Sequence, residues 1–405
     1  MMWIRNGGAS APAAAPSLLR SMNQRFILDW LYQNGPATRP QISRAVGLSQ
    51  PTVFATLANL EDVGLVRTRG QSEESNGRPA LIYEVDPGAG TIAAVDVGRD
   101  WLRVMVSDLV GTILARAEVR NTARSSKSLV GMVKEAIASA SGEAGIEYTA
   151  ITHTIIASPG VYQEQDSRVI YAAQLPEWQR PRLYEELRDT LGMPVTIEND
   201  VNLAALGEHG EGAGRGVNPF VYLHIGTGIG IGIVIDGKVY TGATGAAGEI
   251  GFLPFAGPEP LTDTVDREHG ILEAAFAADS VVEYARRLGL EGATTAVKVF
   301  ELARKGVAPA KKAVQRQTEI LAALLTSISA FLDPELIVVG GGIGQNLDLL
   351  GVGLADRLNQ LSPLRPRIVA SVLGVDVAVR GAVTRGVAVA REAIFAERMA
   401  RIPGA

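Results

Sequence analysis

The 405 residues include no cysteine. That excludes disulfide bonds and thiolate zinc sites, and it agrees with a reducing cytoplasm. No apolar run is long enough to span a bilayer. The longest, around Ile320–Leu332, is broken by Thr and Ser, so no membrane association is expected. There is no basic excess either. The formal net charge is −5, which argues against a protein that coats nucleic acid, so any DNA contact must be local. The first sixteen residues are rich in Ala, Pro and Gly and lack an apolar core. They read as a flexible tail rather than a signal peptide.

What is present is ordinary for a globular chain: 47% hydrophobic and 20% charged residues over a length that accommodates two or three cores. A basic tilt sits at the amino end. Residues 17–80 hold seven Arg against five acids, a surplus of two. Leu18, Met22, Phe26, Leu28 and Leu31 recur at helical spacing before Asn34-Gly35-Pro36 stops the pattern. Thr38-Arg39-Pro40-Gln41 is a capping box that opens a short helix with Ile42, Ala45 and Val46 on one face. Gly47-Leu48 turns the chain. Ser49 caps a second helix, with Pro51 in its first turn and Val53, Leu57 and Leu60 pointing inward.

This is the helix-turn-helix arrangement, whose second helix enters a major groove. Leu65–Thr68 and Ala80–Tyr83 read as strands around a polar loop at 70–79, the wing. A small helical domain that ignores DNA is the alternative. On the second helix Gln50, Thr52, Thr56 and Asn59 are expected outward, with Arg39 and Ser49 flanking. No Arg or Lys is there to read guanine, Gln50 suits adenine, and the Thr methyls suit thymine. Arg78, on the stiff Asn76-Gly77-Arg78-Pro79 segment, is placed to enter a narrow minor groove or else is a solvated loop arginine. An A·T-rich operator follows. Because one such unit reads few bases, a homodimer or homotetramer is expected.

From Thr91 strands dominate. Ile92–Val97, Trp101–Ser107 and Thr112–Val119 are separated by turns at 98–100 and 108–111. A similar unit follows: Phe220–Ile225, the Gly226–Gly230 turn, Ile231–Ile235, an Asp236-Gly237 hairpin and Lys238–Tyr240. Two such units, each followed by helices, suggest a two-lobed α/β fold with Gly turns facing a cleft. Backbone N–H groups there can approach phosphates, although tight turns need the same glycines.

Seven segments occur in order: Ala157-Ser158-Pro159-Gly160, Leu175-Pro176-Glu177-Trp178, Glu198-Asn199-Asp200-Val201-Asn202, His224–Gly230, Ala247-Gly248-Glu249-Ile250-Gly251, Asp333-Pro334-Glu335 and Val339–Gly342. In these the chain resembles the ROK family of repressors and sugar kinases, over residues 15–395. The resemblance implies a winged helix-turn-helix at 17–86 and a duplicated actin-like (ribonuclease H-like) ATPase fold at 87–405. Within the latter it implies a first lobe at about 87–200, a second at about 201–380 and a returning helix at 381–399. It implies that Asn199, Asp200, Glu249 and Glu273 hold sugar hydroxyls, with Asp200 as the proton acceptor if the chain is a kinase. Carboxylates and an amide suit vicinal hydroxyls. The resemblance also implies nucleotide contacts at Gly226, Thr227, Gly228, Gly341 and Gly342. Those glycines equally suit strand-to-turn geometry.

The chain departs from the kinases in two places. Their first phosphate turn, Asp-x-Gly-Gly-Thr, is here Asp96-Val97-Gly98-Arg99-Asp100, a carboxylate in place of the phosphate-binding hydroxyl. Their zinc-binding His and Cys-rich run correspond to Phe252 and Thr264–Ile271, with His269 a lone imidazole and only Gly270 and Glu273 retained. No metal and no cofactor are therefore expected. The reading is a cytoplasmic, sugar-responsive DNA-binding regulator, most simply a repressor of carbohydrate genes, rather than an enzyme. Its alternatives are a working sugar kinase with a DNA-binding domain, and a constitutive DNA binder whose cleft is scaffold.

Overall fold

The computed structural model describes residues 16–72, 79–172, 174–254 and 270–401. The expected tail, Arg78 with most of the wing tip, and the Thr264–His269 stretch lie outside the described residues. The chain divides into two compact units. One comprises residues 1–90, 108–112 and 388–405, and the other residues 91–107 and 113–387.

In the first unit α1 (Pro16–Asn34) precedes a short strand β1 (Ala37–Thr38), then α2 (Arg39–Val46) and α3 (Gln50–Asp62), then β2 (Val66–Gln71) and β3 (Leu81–Val85). The strands form one sheet in the order β1-β3-β2, antiparallel throughout. β1 is too short to show in the sequence pattern. The capping box holds as expected: the Thr38 N–H donates to Gln41 Oε1 at 2.8 Å. Ser49 caps α3, its hydroxyl accepting from the Thr52 N–H at 3.3 Å. The core is built on Ile27, Leu28, Leu31, Ile42, Val53, Leu57 and Leu60. Ala45 was expected inward but is exposed, because α2 is only two turns long and its buried stripe reduces to Ile42. Leu18, Met22 and Phe26 also face outward, and the buried stripe of α1 runs through Gln24, Ile27, Leu28 and Leu31.

The second unit repeats one design. β4 (Thr91–Val97), β5 (Trp101–Asp108) and β6 (Ile113–Arg120) form a meander. After α4 (Ser126–Glu143), β7 (Ile151–Ser158) adds to it. A small hairpin, β8 (Val161–Gln163) with β9 (Arg168–Ile170), and α5 (Leu183–Leu191) then lead to β10 (Val195–Asn199) and α6 (Asp200–Glu211). The sheet order is β6-β5-β4-β7-β10. The second copy is β11 (Phe220–Ile225), β12 (Ile229–Ile235), β13 (Lys238–Val239), β14 (Leu336–Gly340) and β15 (Arg367–Ala370), ordered β13-β12-β11-β14-β15. In each sheet the meander is antiparallel and the later strands join parallel to its first strand. That is the duplication anticipated from the two Gly-turn units. The inner strand β14 is apolar and buried throughout, and β4 is apolar apart from Thr91 and Asp96.

Between β13 and β14 lie α7 (Ile271–Phe276), α8 (Ala278–Arg287), α9 (Ala296–Arg304) and the long α10 (Ala308–Leu332). The one-turn helices α11 (Gly341–Gly344) and α12 (Leu347–Leu350), α13 (Leu354–Leu361) and finally α14 (Val377–Met399) follow. No described helix is long and apolar enough to cross a membrane.

Two of the quoted motifs turn out to brace one another. The buried Trp178 indole donates to Ser158 Oγ at 2.8 Å, joining the Leu-Pro-Glu-Trp segment to the Ala-Ser-Pro-Gly turn. Helix α6 is held at its far end by the fully buried Glu208, which accepts from the Ala213 N–H at 2.8 Å and the Val372 N–H at 3.1 Å. Its middle meets α14 backbone to backbone: a Cβ on Gly381 would sit 1.7 Å from the Leu203 carbonyl oxygen, and one on Gly207 2.5 Å from that of Val377. Gly381→Ala is therefore expected to destabilise by on the order of 3 kcal/mol. Gly342→Ala, with nothing within 4 Å of the new methyl, should change stability little. Thermal melts of the two variants check this; equal melting temperatures would contradict the close helix contact.

Candidate functional site

The first unit presents α3 as a recognition helix. Gln50 is exposed at its start, Thr52 and Asn59 are half-exposed, and the Ser49 hydroxyl, besides capping, shares a hydrogen bond of 2.8 Å with the Thr52 hydroxyl. Thr56 corrects the sequence expectation. It is 4% exposed, because with Val53, Leu57 and Leu60 it completes the i, i+3, i+4, i+7 stripe that faces the core. It cannot offer its methyl to a base. Phe54 takes the outward position instead. Arg39 is occupied: its Nε donates to the Tyr83 hydroxyl at 2.8 Å and its guanidinium lies 4.5 Å from the Phe54 ring centroid. It braces the helix against β3.

The end of α14 belongs to this unit. Arg398 donates to the carbonyls of Val63 (3.0 Å), Gly64 (2.7 Å) and Ala89, the first two lying just past the recognition helix. Arg391 donates to the Leu109 carbonyl at 2.8 Å, and its guanidinium sits 3.5 Å from the Tyr32 ring centroid. Burial, partly opposed by Arg391, pushes the Tyr32 hydroxyl up to about 12. Sequence patterns carry no signal for these contacts, whose partners lie hundreds of positions apart.

In the second unit Asn199, Asp200, Glu249 and Glu273 line one cavity of about 80 Å3, together with Gly160, Tyr171, Gln174 and the Gly228–Ile231 turn. Each of the four residues arrives differently. Asn199 is the N-cap of α6: its Oδ1 accepts from the Asn202 N–H at 2.9 Å while its Nδ2 donates to the Gly160 carbonyl at 3.0 Å. Asp200 begins the helix, with Oδ1 accepting from the Val201 N–H at 2.8 Å. Glu249 follows Gly248, whose packing on β12 leaves no room for a side chain; a Cβ there would meet the Ile231 carbonyl oxygen at 2.0 Å. Glu273, in α7, accepts from the Ile229 N–H at 3.2 Å.

The cavity adjoins a cleft of about 800 Å3 that reaches Asp96, the 98–101 turn, Thr227 and Gly341–Gly342. Burial governs its electrostatics, with neighbouring acids adding to it. Burial first, then Asp200 and Glu273, raise the Glu249 carboxyl to about 7. Burial and Asp200 raise Asp96 to about 7 against the pull of Arg103. Asp200 is raised by burial, with His224 opposing, and His224 is lowered by its own burial. His224 and Arg103 were not singled out in the sequence. Their roles depend on neighbours brought in by the fold.

The altered phosphate turn does not leave two charges facing each other. Asp96 pairs with Arg103 at 3.4 Å, and Asp100 lies 3.6 Å from Arg99, which also reaches Asp279 at 3.9 Å. Among the phosphate-turn glycines, two have internal reasons for their identity. Gly341 has φ +82° and a Cβ there would meet the Ile225 carbonyl oxygen at 2.4 Å, while at Gly226 it would meet His224 Nε2 at 2.7 Å. At Gly228 the nearest atom would be Glu273 Oε2 at 3.1 Å, and Gly342 faces open space. Phe252, in the position of the family's histidine, packs edge-on against Tyr171 with ring centroids 5.2 Å apart.

A duplicated two-lobed α/β unit with an acid-lined cavity between Gly turns, carried by a chain that also holds a winged helix, defines a DNA-binding member of the actin-like ATPase class. Comparison with known proteins narrows this. The ROK family model matches residues 92–385 and a MarR family model matches residues 20–78. The chain belongs to the ROK family. It is 23% identical to a xylose repressor of Caldicellulosiruptor bescii over 85% of this chain and 89% of the relative. A solved ROK family transcriptional regulator, described as a homolog of the E. coli MLC protein, superposes with a TM-score of 0.76 at 20% identity, covering 94% of this chain and 99% of that one. A ROK glucokinase from Streptomyces griseus, solved with glucose and AMPPNP, superposes with a TM-score of 0.62 at 25% identity over 73% and 99% of the two chains.

The raised Glu249 carboxyl makes a stability prediction. Its folded pKa lies above its unfolded one, so the fold holds the extra proton between about 4.5 and about 7 and loses that advantage as pH rises through 7. Glu249→Gln should therefore stabilise the unliganded protein at pH 8 by on the order of 1–3 kcal/mol, with the gain vanishing near pH 5. Melts at the two pH values check this, and a variant less stable than wild type at pH 8 would contradict it.

Proposed function

We propose that this chain is a cytoplasmic sugar-responsive transcriptional repressor, in which a sugar held by Asn199, Asp200, Glu249 and Glu273 alters the affinity of the winged helix for an operator. The observation that carries the reading is the convergence of those residues in one cavity of a chain whose amino-terminal unit is a capped helix-turn-helix with wing strands. Acceptor-rich cavities suit polyols, because hydroxyls donate to carboxylates and relieve their crowding. The xylose repressor relative makes D-xylose the first effector to try. DNA recognition would fall to Gln50, Thr52 and Asn59 with Ser49 and Arg39 as supports, and to Arg78 in the wing, on an A·T-rich site bound by a homodimer or homotetramer.

Helix α14 offers a route for the response. Residues 377–387 belong to the cavity unit and 388–399 to the winged-helix unit. A ligand at the start of α6 would act on α14 through the Gly207–Gly381 contact. Arg398 would carry the change to the carbonyls that follow the recognition helix.

The second reading, a sugar kinase, is favoured by Asp200 beside the Gly turns and by the glucokinase likeness. The carboxylate of Asp100 at the phosphate turn opposes it, since phosphoryl transfer depends on donors there. Fluorescence anisotropy on DNA from the upstream region of its own gene, titrated with D-xylose, D-glucose and other sugars without ATP, tests both. The expected result is specific binding that one sugar shifts by about 5–150-fold, with Glu249→Gln retaining operator binding and losing that shift. Absence of specific DNA binding, together with ATP turnover on a sugar, would install the kinase reading instead.

A further inference from the structure

The acid-lined cavity has an apolar lip. Tyr171 lines it beside Asn199 and Asp200, and its ring meets that of Phe252 at 62°, in an edge-to-face pair. Both rings stand in the open, Tyr171 48% and Phe252 40% exposed. Two large aromatic faces left together at the mouth of a polar pocket are a recognition feature.

The backbone holds each ring at its post. Tyr171 has φ +61°, a left-handed conformation that is costly for a bulky residue and that persists where surrounding structure imposes it. The backbone at Tyr171 lies tight against Gly160, where a Cβ would sit 2.1 Å from the Ile170 carbonyl oxygen. The Gly160 carbonyl also accepts from Asn199 Nδ2 at 3.0 Å, so one turn fixes both a polar ligand residue and the aromatic one. Phe252 ends a one-turn helix, Ile250–Phe252, that begins right after Glu249. Between them, a Cβ at Gly251 would lie 3.4 Å from Glu273 Cβ. The rings are thus positioned by the segments that position the carboxylates.

The cavity below offers about 80 Å3, room for a handful of water-sized groups and therefore for the hydroxyl edge of one sugar ring. On the side of the mouth lined by Tyr171, a substituent on the sugar meets the aromatic pair that Tyr171 forms with Phe252. We propose that Tyr171 and Phe252 form an apolar subsite that takes a nonpolar substituent on the sugar, so that the preferred effector is an alkyl or aryl glycoside rather than the free monosaccharide. This rests on the sugar-binding reading above and specifies its ligand class.

Isothermal titration of the full chain with D-xylose, D-glucose and the p-nitrophenyl α- and β-glycosides of each tests it. The expected result is that at least one aryl glycoside binds about tenfold or more tighter than its parent sugar, as burial of an aromatic substituent should give. Phe252→Ala and Tyr171→Ala should each bring that ratio to within about threefold. Both rings are surface residues, so the variants are expected to fold. Binding of the free sugars with no aryl advantage, or an advantage that survives both substitutions, overturns the subsite and leaves the sugar reading intact. No binding of any of the six ligands overturns both.

Discussion

Carboxylate crowding in one cleft is the constraint around which this molecule is organised. Asp96, Asp200, Glu249 and Glu273 are brought to adjoining walls of the cavity and cleft by segments from both lobes. Burial and mutual repulsion hold Asp96 and Glu249 near 7, far above the ordinary carboxylate range. Such an arrangement is a cost to the unliganded fold. Arg103 relieves it only in part, through Asp96 and Glu118 at 3.4 and 3.1 Å. On the proposed reading, a polyhydroxylated ligand would relieve it further by donating hydrogen bonds to the acids.

Asp200 and its neighbour Asn199 sit on an element that reaches elsewhere in the fold. Asn199 caps α6 and Asp200 opens it, and the body of that helix lies against α14 with glycines at the contact. The far part of α14 belongs to the winged-helix unit, within which Arg391 and Arg398 donate to the carbonyls of Leu109 and Gly64. None of this requires phosphoryl transfer. Gly341 is required by its own backbone, with φ +82° and the Ile225 carbonyl oxygen 2.4 Å from a would-be Cβ, so its presence does not argue for a nucleotide.

Much of this was legible in the sequence, and what was not has identifiable causes. Ser49, Gln41 and the Val53-Leu57-Leu60 stripe locate the helix-turn-helix because caps and periodicity are local. Asn199, Asp200 and Glu249 are legible because each sits in a segment of the ordered family resemblance, and Glu273 because it is retained just after the run that has lost the family's cysteines. Thr56 misled because a threonine on the edge of an apolar stripe is ambiguous until the core is seen, and at 4% exposure it belongs to that core. Arg398 on the Gly64 carbonyl and Tyr171 on Phe252 join residues far apart in the chain, which no local pattern encodes. His224 beside Asp200 reads as one more residue of a β-strand until the two lobes are folded together.

The central claim is that cavity and operator are thermodynamically linked, and linkage is reciprocal. The most direct test is the affinity of the effector sugar measured on the free protein and on the protein saturated with operator. The account predicts two different dissociation constants, whose ratio equals the factor by which saturating sugar changes operator affinity. One sugar affinity, the same with and without DNA, would contradict it.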